Sequence, residues 1–521
     1  MNLVTSSTLP SLLAGSFQLH SGRIAVEYGE EKYSYAELEQ LSWRYYHFYR
    51  DCGLQRGDHI GILSDVTPSA IGAMLGALYA GIIYIPVNIY APAAWVSNLF
   101  HTAELKSIVV QRRYQASVTD IIHSGTQPVC FFDEIEKTTM PAPPAGQYHK
   151  ILSDDIAWIL YTSGSTGTPK GIMLTHRNAC SFVVWMSKEF NIGQHDRIFS
   201  RAPLQFDLSV FDIFTTLLSG ASLVIVPENF ASTPDNIVSY MRDKGITVVY
   251  TVPSAYIRWL NKGRLERNIP SLRVLLYAGE PFAASWLRKV MHCLPQTRVA
   301  NIYGPTETNI VTCHHLSAAP ADGATIPIGY PVDETEIYIV DENLNSLPPG
   351  QMGEIVVRGS TVFAGYFNAP QLTAERLIQS PFHHYPTLVC RTGDYGSWGD
   401  NGELLYYGRM DNMVKTRGYR VEPGEVENAL ATIEGIEEAA IIPIADDKYG
   451  ASLHACLTLS IPESELLQVQ QRLKQILPDY MYPWSFTLMA GLPRTATGKI
   501  DRVKLKNQLI NQLSKQKDLS L

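Results

Sequence analysis

Three patterns in this 521-residue chain point to an α/β protein followed by a smaller α+β unit. From Asp58 to about Glu307, near-continuous apolar runs alternate with helix-length amphipathic segments, as in mainly parallel sheets covered on both faces. Between about Ile326 and Gly408 the runs shorten and are parted by Pro-Pro-Gly and Asp-Asn-Gly turns, which reads as antiparallel β. After Arg409, helix and strand signals mix again over a shorter stretch.

Each element has its own cue. Strands are predicted at His59–Leu63, Ile156–Tyr161, Arg197–Ala202, Ser222–Val226, Thr247–Thr251, Val274–Tyr277 and Val299–Ile302. The segment Ala70 to Val87 runs 18 residues without a charge, near the lower limit for a membrane span. Gly81 and Pro86 interrupt it and no basic cluster flanks it, so it reads as a buried helix over about 68–80 and then a buried strand. Pro234, after Thr233, opens a helix over about 235–244 that Gly245 closes. Glu336–Val340, Glu354–Val357 and Glu403–Tyr407 are the antiparallel strands. The last unit holds a helix at about 424–432, strands at about 438–444 and 453–459, and a helix at about 464–477. Arg494 to Lys517 carries seven basic residues and one acid, Asp501, and reads as a solvated tail in which a single lysine is functional.

Composition narrows the function classes. With 45% hydrophobic and 18% charged residues the chain is an ordered globular protein. Its length suggests about three or four folding units. Forty-two basic and 50 acidic residues give a net charge of −8, which offers no general attraction to phosphate backbones, so no nucleic-acid partner is expected. Seven scattered cysteines without a CxxC or Cys/His cluster exclude a zinc pattern and suit a reduced, cytoplasmic enzyme. The N-terminus lacks a basic n-region, so neither a signal peptide nor a membrane anchor is expected.

Four strings look chemical. Tyr161-Thr-Ser-Gly-Ser-Thr-Gly-Thr-Pro-Lys-Gly171 follows a buried strand and gathers backbone amides, the hydroxyls of Thr162, Ser163, Ser165 and Thr166, the glycines Gly164 and Gly167, and the Lys170 ammonium. That set suits a polyphosphate, although GxxxxGK[ST] is absent. Asn301-Ile-Tyr-Gly-Pro-Thr-Glu307 puts an aromatic, a tight turn, a hydroxyl and a carboxylate at a strand end, where open α/β sheets bind ligands. Arg391-Thr-Gly-Asp394 offers a carboxylate for ribose hydroxyls, and Gly408 to Gly418 alternates charges at the junction with the last unit. Taken singly, each also fits a turn or a surface ion pair.

Together and in this order, with Pro493-Arg-Thr-Ala-Thr-Gly-Lys-Ile-Asp-Arg502, the strings resemble the core motifs of the adenylate-forming superfamily, and above all the amino-acid adenylation domains of nonribosomal peptide synthetases. The resemblance implies a large N-terminal domain, residues 1–410, with two mainly parallel sheets and flanking helices over about 1–325 and a β-barrel-like section over about 326–410. A small, mobile α+β domain, residues 411–521, would hinge near Asp411. It implies ATP and Mg2+ as cofactors and two half-reactions, acyl-adenylate formation and transfer to a pantetheine thiol. The 162–171 loop then holds the β- and γ-phosphates. Tyr303 stacks on adenine beside Gly304 and Thr306, and Asn301 bonds the adenine amino edge. Asp394 and Arg409 fix the ribose, Tyr406 lines the nucleotide, and Glu307 is the Mg2+ carboxylate. Lys499 bridges the reacting carboxylate and phosphate. Asp411, Lys415 and Gly418 serve the hinge and the thiolation state.

Phe206-Asp-Leu-Ser-Val-Phe211 places a carboxylate, Asp207, in an apolar stretch. In the resembled family it meets the substrate's α-ammonium; the alternative is a helix N-cap. The family's selectivity positions fall on Leu208, Phe211, Thr251, Leu276, Ala278 beside Gly279, Ile302, Ile310 and Val311, none of them charged. Such walls favour a small apolar amino acid. The pattern is similar to stand-alone L-prolyl-carrier-protein ligases, which makes proline the first candidate and implies a separate phosphopantetheinylated carrier protein. A D-alanyl carrier-protein ligase, an acyl-CoA synthetase and a non-catalytic sensor are the competing readings.

Overall fold

The computed structural model describes residues 7–91, 93–124, 128–137, 151–162, 169–227, 233–265, 269–321, 324–409, 413–494 and 500–518. The chain divides into two compact units, one of Met1–Ile89, Val96–Tyr161 and Gly171–Gly408, the other of Tyr90–Trp95, Thr162–Lys170 and Arg409–Leu521.

In the first unit a nine-stranded sheet runs Tyr330–Pro331, Thr312–Leu316, Arg298–Tyr303, Val274–Ala278, Val248–Thr251, Arg197–Ser200, Ser222–Ile225, Ile24–Tyr28, Glu31–Ser34. Its interior from Arg298–Tyr303 to Ile24–Tyr28 is parallel, and both edges are antiparallel. A seven-stranded sheet runs Gly365–Tyr366, Lys170–Thr175, Ile156–Thr162, Ile83–Pro86, His59–Leu63, Leu105–Val110, Val129–Phe131. The antiparallel section is a five-stranded sheet of Thr335–Val340, Gly353–Gly359, Leu388–Trp398 and Leu377–Gln379, with Leu404–Arg409 paired to Leu388–Trp398.

The uncharged segment forms a helix, Pro68–Ala80, capped by Thr67, whose hydroxyl accepts the Ala70 amide at 3.1 Å. Its small residues have a packing purpose. A Cβ on Gly76 would lie 2.7 Å from the Ser42 carbonyl oxygen, so glycine lets this helix touch the backbone of the helix Tyr35–Asp51. Among the described residues no helix is long and apolar enough to cross a membrane.

The nine-stranded sheet is covered on both faces. Val248, Tyr250, Leu276, Ala300 and Ile302 enter the main core, which also takes Ile60, Ile62 and Trp158 of the seven-stranded sheet. Val249, Leu275, Tyr277 and Val299 point the other way, into a second core filled by the helices Pro234–Asp243, Pro253–Lys262 and Ala284–Cys293.

The second unit has a three-stranded sheet of Ile436–Asp446, Gly450–Leu459 and Ser485–Leu488. Helices Pro423–Ala431 and Leu466–Ile476 pack on one face through Val426, Leu430, Val469 and Leu473. The expected solvated tail is corrected here. Arg502–Asp518 is a helix whose Leu505 and Leu509 are buried against Ala440, Ile442 and Cys456. Two leucines four residues apart share one helix face, so this apolar stripe outweighs the charge count. Arg502 also bonds both carboxylate oxygens of Glu427, at 2.6 and 2.8 Å, and Arg494 pairs with Glu438.

Candidate active site

Parallel register brings the site's first layer together. Tyr250 pairs with Leu276 and Leu276 with Ala300; Thr251 pairs with Tyr277 and Tyr277 with Asn301; Ala278 pairs with Ile302. The carboxyl ends of three strands are therefore level, and the Asn301–Glu307 string leaves the sheet at that edge.

The string then reaches partners far along the chain. The Tyr303 hydroxyl donates to Asp394 Oδ2 at 2.6 Å, and its ring tilts against Tyr406 with centroids 5.8 Å apart. Burial, reinforced by the Asp394 carboxylate, pushes the Tyr303 phenol well above its ordinary range, so it remains a donor. The Thr306 hydroxyl donates to Asp207 Oδ2 at 3.1 Å. The Tyr366 hydroxyl donates to Glu307 Oε1 at 2.8 Å, and the Glu307 backbone carbonyl accepts the Phe363 amide. Asn301 Nδ2 donates to the Pro327 carbonyl at 3.0 Å, which orients the side-chain amide. Behind Asp394, Arg391 bonds Glu354, and the other Glu354 oxygen accepts the Gly393 amide at 3.1 Å. The Arg391 guanidinium thus braces the irregular stretch of strand that carries Asp394.

Asp207 is backed by Thr306 rather than used as a cap. Its backbone is helical, φ −60° and ψ −24°, and its side chain makes no cap bond to the short helix it precedes. Phe211, Leu276, Ala278, Ile302 and Ile310 are buried in one core, with Leu208 packed against it and Phe206 half-buried before Asp207. Two selectivity positions part from that set. Alternation places Thr251 on the sheet face of Tyr277 and Asn301, and Val311 joins the antiparallel section with Ile328, Ile355 and Leu404. Gly279, φ +90°, turns the chain just after Ala278.

Ser163, Gly164, Ser165, Thr166, Gly167, Asp411 and Lys499 lie outside the described residues. The strands Ile156–Thr162 and Lys170–Thr175 flank the loop. Lys415 pairs with Arg420 in a hairpin closed by Gly418, and Arg409 ends the strand that carries Tyr406.

Sequence reasoning missed Tyr366 and Tyr250. Tyr366 carried no local signal, because its partner Glu307 is 59 residues away. Tyr250 was hidden inside an apolar strand, although it faces the same way as Leu276.

The residues present fit ATP and a divalent cation. The buried Thr162 hydroxyl has no hydrogen-bond partner among the described residues, as expected of a donor kept for phosphate oxygens. Glu307, 5% exposed, offers a hard carboxylate. Among the described residues no group of three or more His, Cys, Asp or Glu side chains is arranged for a metal. Mg2+ typically needs only one or two carboxylates beside phosphate oxygens.

Comparison with known proteins agrees. The AMP-binding enzyme family matches residues 14–367, and the AMP-binding enzyme C-terminal domain matches residues 425–499. Tyrocidine synthase 1 of Brevibacillus parabrevis is 33% identical over 487 residues, 93% of this chain and 43% of that protein. The chain thus spans less than half of that relative, and 44% of gramicidin S synthase 1 of Brevibacillus brevis, to which it is 31% identical. Among solved structures, the Vibrio cholerae adenylation domain AlmE in complex with glycyl-adenosine-5'-phosphate superposes with a TM-score of 0.80 at 25% identity, covering 97% of this chain and 98% of that one. An artificially fused adenylation-PCP di-domain from Klebsiella oxytoca shares the fold, with a TM-score of 0.81 at 22% identity over 92% of this chain and 93% of that one. The chain belongs to the AMP-binding enzyme family and is an ATP-dependent, AMP-forming enzyme.

Proposed function

We propose that this domain activates a small apolar α-amino or imino acid, L-proline first, and passes it to the phosphopantetheine thiol of a separate carrier protein. One observation carries the amino-acid reading. Asp207, bonded by the Thr306 hydroxyl, belongs to a stretch whose neighbours Phe211, Leu276 and Ile302 are apolar and buried. A carboxylate beside such walls is stabilised by a cation, and the α-ammonium supplies one. A fatty or aryl acid brings none, which weighs against an acyl-CoA synthetase. Two related structures, the AlmE complex with glycyl-adenosine-5'-phosphate and the adenylation-PCP fusion, support aminoacyl-AMP and a carrier partner.

In the first half-reaction a carboxylate oxygen attacks the α-phosphorus, and the bond to the β-phosphate oxygen breaks to release diphosphate. Asn301, Tyr303 and Asp394 orient the nucleoside. The 162–170 loop holds the phosphates, and Glu307 would hold Mg2+, whose charge would offset the phosphates. Lys499 bridges two anions that repel each other, an interaction strongest in the transition state. In the second half-reaction the thiol sulfur attacks the acyl carbon, and AMP leaves. Asp411 as hinge, with Lys415 and Gly418 serving thiolation, completes the proposal.

ATP–diphosphate exchange across the common amino acids in both configurations tests it. Exchange driven by a small apolar L-amino acid is expected, D-alanine alone favours the carrier-ligase alternative, and no exchange with any amino acid overturns the reading. Lys499→Ala should abolish exchange while ATP affinity falls far less; equal loss of both removes that role. Acylation of a phosphopantetheinylated carrier but not of CoA separates the acceptors.

A further inference from the structure

We infer that Tyr250, outside the positions assigned to the substrate pocket, forms the pocket floor and sets the largest side chain that it admits. The inference rests on the reading that Asp207, Phe211 and Leu276 line that pocket.

Three observations place Tyr250 there. It is in register with Leu276 and, one strand further, Ala300, so its side chain leaves the sheet on the face that carries Leu276, Ala278 and Ile302. Its ring stands edge-on to Phe211, with centroids 5.3 Å apart and planes at 85°, the T-shaped geometry that locks two rings into one wall. Burial above all, and then the Asp207 and Asp212 carboxylates, push its phenol well above the ordinary range, so Asp207 lies within electrostatic reach of the ring.

The hydroxyl adds a fourth. Tyr250 is 6% exposed, yet none of the hydrogen bonds among the described residues uses its hydroxyl. Tyr256, on the following helix, donates to the Val249 and Leu276 carbonyls, as a purely structural tyrosine does. Unlike the Tyr277 hydroxyl, that of Tyr250 is not sealed from solvent, so it braces no strand and reaches open space. With the ammonium at Asp207, an amino acid's side chain extends toward the Phe211–Tyr250 wall, and the rigid phenol ring ends the available depth. Small apolar side chains fit, and longer ones collide with the ring.

Tyr277 provides a matched control. It sits on the adjacent strand, it is buried with an unbonded hydroxyl, and it faces the opposite core against Phe282. The test is amino-acid-dependent ATP–diphosphate exchange with alanine, proline, valine, leucine and phenylalanine for the wild type, Tyr250→Ala, Tyr250→Leu, Tyr250→Phe and Tyr277→Phe. Tyr250→Ala should raise kcat/KM for leucine or phenylalanine relative to the preferred substrate by about 10- to 200-fold, the range available to apolar pockets. The gain should appear in the amino-acid KM, with the KM for ATP unchanged. Tyr250→Phe keeps the ring and should keep the size order, as should Tyr277→Phe. If the alanine variant fails to fold, Tyr250→Leu must shift the order the same way. A wild type that exchanges normally beside Tyr250 variants with an unchanged size order overturns the inference alone. A wild type silent with every amino acid overturns the functional reading beneath it as well.

Discussion

Asp212 follows Phe211 and is fully buried, and neither of its carboxylate oxygens is hydrogen-bonded among the described residues. Burial raises its carboxyl well above the usual range, and the nearby Ser200 hydroxyl, outside bonding geometry, acts the other way. The folded protein therefore keeps this proton when the unfolded chain has released it. With more protons bound in the folded state, stability falls as pH rises from the ordinary aspartate value, about 4, toward the raised folded value, and below about 4 this term vanishes. Each pH unit in that window costs about 1.4 kcal/mol. Asp212→Asn, uncharged throughout, should raise Tm at pH 7.5 and leave it nearly unchanged at pH 4. Equal shifts at both values by calorimetry would contradict a protonated Asp212.

Two local backbone features do the placing. Leu208 to Ser219 is helical with a widened π turn at Phe211–Thr215, and such turns re-aim side chains at functional sites. The Gly304–Val311 loop folds tightly on itself, with the Val311 amide bonded to the Tyr303 carbonyl at 2.7 Å. A Cβ on Gly304 would lie 2.4 Å from the Asn309 carbonyl oxygen, which no side-chain rotation relieves. Because this loop carries Thr306 to Asp207 and Glu307 to Tyr366, Gly304→Ala should displace both contacts. A displacement on the order of 1 Å costs about 100-fold in rate. The expected outcome is that loss in exchange kcat/KM with a folded, cooperative melting curve; wild-type kinetics would show that the loop absorbs the methyl group.

Across the whole molecule, stability is distributed between two units with separate cores. The last helix belongs to the second unit through Leu505, Leu509 and the Arg502–Glu427 pair. Leu505→Ala removes a fully buried side chain, and such truncations cost about 2–5 kcal/mol. Denaturant unfolding of the variant should show a loss in that range, and a change within about 0.5 kcal/mol, the size usual for surface substitutions, would return the segment to a solvated tail.

Much of this was legible along the chain because its signals are local. The helix Pro68–Ala80 came from an uncharged run of small residues with a stop at Gly81, and the parallel strands came from unbroken apolar runs bounded by polar turns. The order of the four chemical strings, followed by Pro493–Arg502, sufficed for the adenylate-forming family. The helix over the basic C-terminal stretch was readable too, from Leu505 and Leu509, but the charges masked their spacing. Partnerships across the fold were not. Thr306 meets Asp207 across 99 positions, Tyr303 meets Asp394 across 91, and Tyr250 joins Phe211 and Leu276 through sheet register and a π turn. Local propensity carries no record of which strand lies beside which, or of the register between them. Those are settled when two sheets bury a common core, and that burial is what turns an apolar strand's tyrosine toward the carboxylate of a distant turn.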